Sequence, residues 1–117
     1  MASVERCATP AGILQVKIAD TFVARGLGLL VGAPLGASEG LLIAPCSSIH
    51  TIGMRYPIDV VFLDAQARVL RVCPEVRAGR MRFAFGARGV LELRAGIAAR
   101  HGLDRGVQLR SLMSALG

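Results

Sequence analysis

The stretch Ser48-Ile-His-Thr-Ile-Gly-Met-Arg-Tyr-Pro-Ile-Asp-Val-Val-Phe-Leu-Asp64 decides how this chain is read. Ile58 to Leu63 is its clearest strand, because β-branched and aromatic residues dominate it. Ile58, Val60 and Phe62 share one face of that strand, and Asp59 shares the other with Val61 and Leu63. Gly53 to Pro57 bends the chain, and Ser48 to Ile52 reads as a preceding strand carrying His50. A carboxylate on an apolar strand is expensive unless it is hydrogen-bonded or paired. The segment therefore either fixes the fold or builds a pocket.

Working outward, Asp64-Ala-Gln-Ala67 fits a tight turn and Arg68 to Cys73 a returning strand, which makes a hairpin. Upstream, Leu14, Val16 and Ile18 alternate with Gln15 and Lys17, the pattern of a half-buried strand. Asp20 or Thr21 can cap a short helix reaching about Leu30. A Gly- and Pro-rich loop, Gly32 to Gly40, leads to a buried strand at Leu41 to Ala44, ended by Pro45. Downstream, Pro74 to Arg80 reads as a polar loop, and Met81 to Phe85, Val90 to Arg94 and Val107 to Arg110 as strands. Gly96 to Gly102 fits one helical turn closed by glycine. The expected fold is mainly β, sandwich- or barrel-like, with mostly antiparallel short strands and one or two short helices. Residues 1–117 are expected to form a single domain with a core of about 13–110, an arm at 1–10 and a tail at 111–117.

Hydrophobic residues make up 53% of the chain and charged residues 19%, which is ample for a packed core and argues against disorder. The net charge of +6 invites an anionic partner. The arginines are spread along the chain, with one modest cluster at Arg77, Arg80 and Arg82 flanked by Phe83 and Phe85. Nucleic-acid binders interleave more aromatics with their charge, so nucleic acid is not expected as a partner. The three cysteines, Cys7, Cys46 and Cys73, match no zinc-ribbon or CxxC spacing and read as buried thiols in a reducing compartment. Residues 1–12 show no leader pattern, and the apolar runs are too short to span a bilayer. A soluble, cytoplasmic protein is expected.

His50 and Asp59 are the candidates for proton transfer, if their strands are neighbours and an oriented imidazole meets the carboxylate across the bend. The same contact would serve equally as a buried hydrogen bond. Arg55, at the bend, suits recognition of a carboxylate or phosphate, or an internal pair with Asp59 or Glu92. Glu92 lies on the face of Val90 and Arg94, opposite Leu91 and Leu93, and a solvated face would explain it unless that face closes a barrel. His101 is expected to be exposed or to end the last helix. Cys46 lies four residues before His50, about 13 Å away along an extended strand, too far for a thiol–imidazole pair. A metal site from Cys46, His50, Asp59 and Cys73 faces the same difficulty; no metal and no cofactor is expected. Phosphate-loop, dinucleotide and nucleophile-elbow motifs are missing, which counts against the common enzyme classes.

Six segments in order resemble a known family: Arg25-Gly-Leu-Gly-Leu-Leu30, Gly40-Leu-Leu-Ile43, His50-Thr-Ile-Gly-Met54, Pro57-Ile-Asp-Val-Val-Phe-Leu-Asp64, Val90-Leu-Glu-Leu-Arg-Ala-Gly96 and His101-Gly-Leu103. The chain is similar, over about residues 13–110, to domain-of-unknown-function family 192, a set of small prokaryotic proteins. It departs from the family's commonest form where Leu29 or Leu30 stands near a methionine, His50-Thr51 replaces a Phe-Trp pair, and Arg55 replaces a lysine. The resemblance implies a compact, mainly β fold with a small helix packed on it, and no established reaction.

The expected function is a non-catalytic ligand-binding or accessory module. Its polar pocket would use His50, Met54, Arg55, Asp59 and Glu92 to hold a small anionic ligand or a protein segment. Two alternatives are an enzyme using His50 and Asp59, and a protein binding RNA or an anionic surface through Arg77, Arg80 and Arg82.

Overall fold

The computed structural model describes residues 3–19 and 35–117. Its strands are β1 (Ser3–Thr9), β2 (Gly12–Ala19), β3 (Glu39–Ile43), β4 (Ser48–His50), β5 (Ile58–Leu63), β6 (Val69–Val76), β7 (Met81–Phe83) and β8 (Gly89–Arg94). A one-turn helix, α1 (Ile97–Arg100), follows, and a 3-10 turn at Arg110–Leu112 leads into α2 (Met113–Leu116). Six strands form one sheet in the order β1-β2-β3-β8-β5-β6, while β4 and β7 pair separately. Among the described residues β2 and β3 run parallel and the other pairs are antiparallel. The fold is mainly β, as the sequence predicts. The larger sheet is open, with β1 and β6 as its edges among the described residues, so the barrel alternative does not hold.

All six residues of β5 are buried, because β5 lies inside the sheet between β8 and β6 with a core on each face. That is why its sequence is a near-continuous apolar run. The first core gathers Leu14, Val16, Leu42, Val61, Leu63, Leu91 and Leu93 and is closed by Ile97, Ala98, Leu103, Leu109, Leu112 and Leu116. The second gathers Leu41, Ile43, Ile58, Val60, Phe62, Cys73, Val76 and Val90, with Ile49, Met54, Tyr56 and Ala84 packed on it.

Several expectations change. Residues 3–9 are not a loose arm: β1 pairs with β2 from Ser3↔Ile18 to Thr9↔Gly12 and buries Cys7. Most side chains of this edge strand face solvent, so its sequence shows no apolar alternation. The tail joins the core through Leu112 and Leu116. Gly89 makes room for it, since a Cβ there would overlap the Leu116 side chain. Val107 to Arg110 is no strand; it meets the β5–β6 turn through an isolated bridge, Arg68↔Gln108, and the Leu109 N–H to Ala67 carbonyl bond at 2.8 Å, and meets the start of β6 through the Val69 N–H to Val107 carbonyl bond at 2.8 Å. β6 continues past Cys73 to Val76 through an irregularity in which Glu75 adopts φ 49°. His101 is buried, and its Nδ1 shares a 2.6 Å hydrogen bond with the Thr9 hydroxyl, tying the β1–β2 turn to the end of α1. The helix expected from Asp20 or Thr21 to Leu30 lies outside the described residues, as do residues 32–34 of the expected loop.

Candidate functional site

Asp59 stands in the middle of β5 on the face of Val61 and Leu63, and is 1% exposed. Its Oδ2 accepts hydrogen bonds from the Gly96 N–H at 3.0 Å and the Ala98 N–H at 2.9 Å. Its Oδ1 accepts one from the Glu75 N–H at 2.9 Å. The first two donors belong to the start of α1, where helical N–H groups have no partner within the helix and a negative charge is favourable. Gly96 reaches this position with φ 91°, a conformation that suits glycine. The third donor belongs to the irregular stretch of β6, where a residue left out of the ladder needs a partner. Asp59 is thus a clamp joining β5, β6 and α1, satisfied by backbone N–H groups.

The structure does not bring His50 to it. β4 pairs with β7 rather than β5, and His50 is exposed opposite Met81. Arg55 is also exposed, and Met54 is half-buried against the second core. The buried residue of the connection between β4 and β5 is Thr51, which sequence reasoning passed over. Its hydroxyl donates to the Arg77 carbonyl at 2.6 Å and accepts from the Arg80 N–H at 2.9 Å. Its backbone N–H donates to the Arg80 carbonyl at 2.8 Å, and its carbonyl accepts from the N–H groups of Gly79 and Met54, each at 3.1 Å. Thr51 therefore fastens the arginine-bearing β6–β7 loop to the end of β4. Cys7, Cys46 and Cys73 stand as thiols. Burial pushes the Cys7 thiol up to about 11, far from a nucleophile at neutral pH. Among the described residues no group of three or more His, Cys, Asp and Glu is arranged to hold a metal ion.

Glu92 is on the other face. In β8 it lies between Leu41 of β3 and Val60 of β5, both in the second core, and it is 5% exposed. The expected solvated face is a buried one, because residues of the bend and of the β4–β7 sheet pack on it. No described cation or hydrogen-bond donor compensates Glu92, and burial pushes its carboxyl up to about 7. Its electrostatic neighbour is Tyr56, whose hydroxyl titrates above its ordinary value through burial and then through the Glu92 charge. The Tyr56 hydroxyl is itself buried with no hydrogen-bond partner among the described residues. Native structures leave few such groups, and each calls for an explanation.

Tyr56 lines a cleft of about 390 Å³ together with Leu35, Pro57, Arg94 and Ala95. Arg94 is two residues beyond Glu92 on the same face of β8 and is exposed. An apolar cleft walled by a tyrosine whose hydroxyl lacks a partner among the described residues, with a guanidinium in its lining, can bind a polar ligand. None of the five residues expected at a site is among these lining residues; Glu92 is linked to the cleft through its electrostatic effect on Tyr56. Tyr56 and Arg94 went unnoticed: a tyrosine before a proline in a bend reads as a turn, and a strand-terminal arginine as a solvated residue.

Comparisons with known proteins agree with the fold. A crystal structure of a protein of unknown function from Novosphingobium aromaticivorans superposes with a TM-score of 0.78 and 22% identity, covering 92% of this chain and 83% of that one. One from Sinorhizobium meliloti, proposed to be a transcription regulator, gives a TM-score of 0.78 and 20% identity, covering 92% of each. At these identities the likeness concerns the fold alone. A curated relative, UPF0127 protein PH1112 of Pyrococcus horikoshii, is 41% identical over 61 residues, 50% of this chain and 53% of the relative. The match therefore spans about half the length of that relative. A family model described as an uncharacterised ACR matches residues 5–111, so the chain belongs to domain-of-unknown-function family 192.

Proposed function

We propose that this protein is a non-catalytic binding module whose cleft between Tyr56 and Arg94 receives a small ligand with an anionic group at one end. The buried Tyr56 hydroxyl, which has no hydrogen-bond partner among the described residues, carries the reading, because a group of this kind is costly until a polar atom meets it. Arg94 would take the anionic end through paired hydrogen bonds, while Tyr56 and Glu92 would hold a hydrogen-bonding end inside. A carboxylate-bearing segment of a partner protein has the same chemistry. The reading keeps Glu92 from the sequence expectation and replaces His50, Arg55 and Asp59 with Tyr56 and Arg94. Residues 1–117 would act as one domain, and the three thiols favour a reducing compartment, which we take to be the cytoplasm.

Thermal-shift screening of anionic metabolites and short acidic peptides tests this. A binder should raise the melting temperature of the wild type and lose most of that effect in Arg94→Ala and in Tyr56→Phe. A wild type that no such compound stabilises, or a binder indifferent to both substitutions, rejects the cleft as the site.

A further inference from the structure

We propose that the outer face of the β4–β7 sheet binds single-stranded nucleic acid. The register sets Ser48 against Phe83, Ile49 against Arg82 and His50 against Met81. Ile49 and, just beyond β7, Ala84 pack inward on the second core, so Ser48, His50, Met81 and Phe83 face outward. Met81 is 69% exposed, Phe83 54%, and Phe85, two residues further on, 92%. The Phe83 and Phe85 rings meet edge to face, with centroids 5.7 Å apart at 87°, so they offer differently oriented planes to a ligand. Apolar side chains grouped in this way on a surface mark a contact.

Charge identifies the partner. Between Arg68 and Arg88 the chain carries six arginines and one acidic residue, Glu75. The Arg71 Nη1 donates to the Phe83 carbonyl at 2.7 Å, which fixes a guanidinium against the backbone of β7. Arg77 and Arg80 are exposed on the loop that Thr51 fastens next to His50. Aromatic faces among cations suit a polyanion whose flat groups are free to stack, which is a single strand rather than a duplex. Ser48 and His50 stand on the same face and argue against insertion into lipid, where polar side chains are costly. They are, however, able to hydrogen-bond base edges. Arg71 joins the arginine cluster that the sequence shows at Arg77, Arg80 and Arg82.

Fluorescence anisotropy with labelled single strands of about 12 nucleotides, as DNA and as RNA, at about 50 mM salt, tests the proposal. The wild type should bind a single strand more tightly than a duplex of the same length. Phe85→Ala, at a fully solvated position, should weaken binding about tenfold, and adding Phe83→Ala should weaken it further. Arg80→Ala should lower the steepness of the log–log salt dependence by about 0.7. Tighter binding of RNA or of DNA would identify which strand is the partner. Three results overturn the proposal: no binding by the wild type, equal binding by wild type and aromatic variants, or association with anionic phospholipid vesicles in preference to oligonucleotides.

Discussion

Two carboxylates are buried in one sheet, on opposite faces, and their situations are opposite. Asp59 accepts three backbone N–H groups from β6 and α1. Glu92 lies among Leu41 and Val60 with no described donor or cation and titrates near neutrality. Burial is nearly equal at the two positions, at 1% and 5% exposure, so burial does not separate them; hydrogen bonding does. A carboxylate that the backbone has claimed holds the fold together. One that nothing has claimed is a cost to the fold, and retains the capacity to act on a ligand.

The comparison breaks most visibly at Asp59. Asp59→Ala leaves three N–H groups without their acceptor and should destabilise the protein by about 4 kcal/mol in urea unfolding. A loss below about 1 kcal/mol would mean that water replaces the carboxylate easily. Glu92→Gln should act in the opposite direction. Between pH 4.5 and about 7 the folded protein holds a proton on Glu92 that the unfolded chain has released, so its stability falls as pH rises through that window. Above it the cost is complete, roughly 3 kcal/mol for a shift of this size. The variant should match the wild type near pH 4.5, exceed it by up to roughly that amount at pH 8, and lose this part of the pH dependence. A variant less stable than the wild type at pH 8 would show that the carboxylate has a partner. The smallest effect belongs to Tyr56→Phe, which removes the unsatisfied hydroxyl and should stabilise the free protein by about 1 kcal/mol. Destabilisation by a similar amount would place a hydrogen bond on that hydroxyl.

Local pattern was legible in the sequence, and pairing was not. The alternation around Ile58–Leu63 and Val90–Arg94 put Asp59 with Val61 and Leu63, and Glu92 with Val90, and both assignments hold. Nothing local says that β5 lies beside β8 or that β4 leaves the main sheet for β7. Partner choice depends on closing long loops and on filling shared cores, and so on residues far away in the chain. For that reason the polar groups of one continuous segment were expected in one place, whereas Asp59 faces one core and His50 faces solvent. Thr51 was hidden for the same reason, since its partners lie 26 and 29 residues away.

The position of β8 bears on how the chain assembles. This late strand lies between β3 and β5 and joins the half of the sheet built from β1 to β3 to the half built from β5 and β6. On a growing chain both halves wait for it, each with an apolar edge able to recruit a strand from another molecule. Cotranslational risk for this small protein is therefore concentrated in the interval before residues 89–94 emerge, and a message truncated there should yield aggregates rather than a smaller folded product.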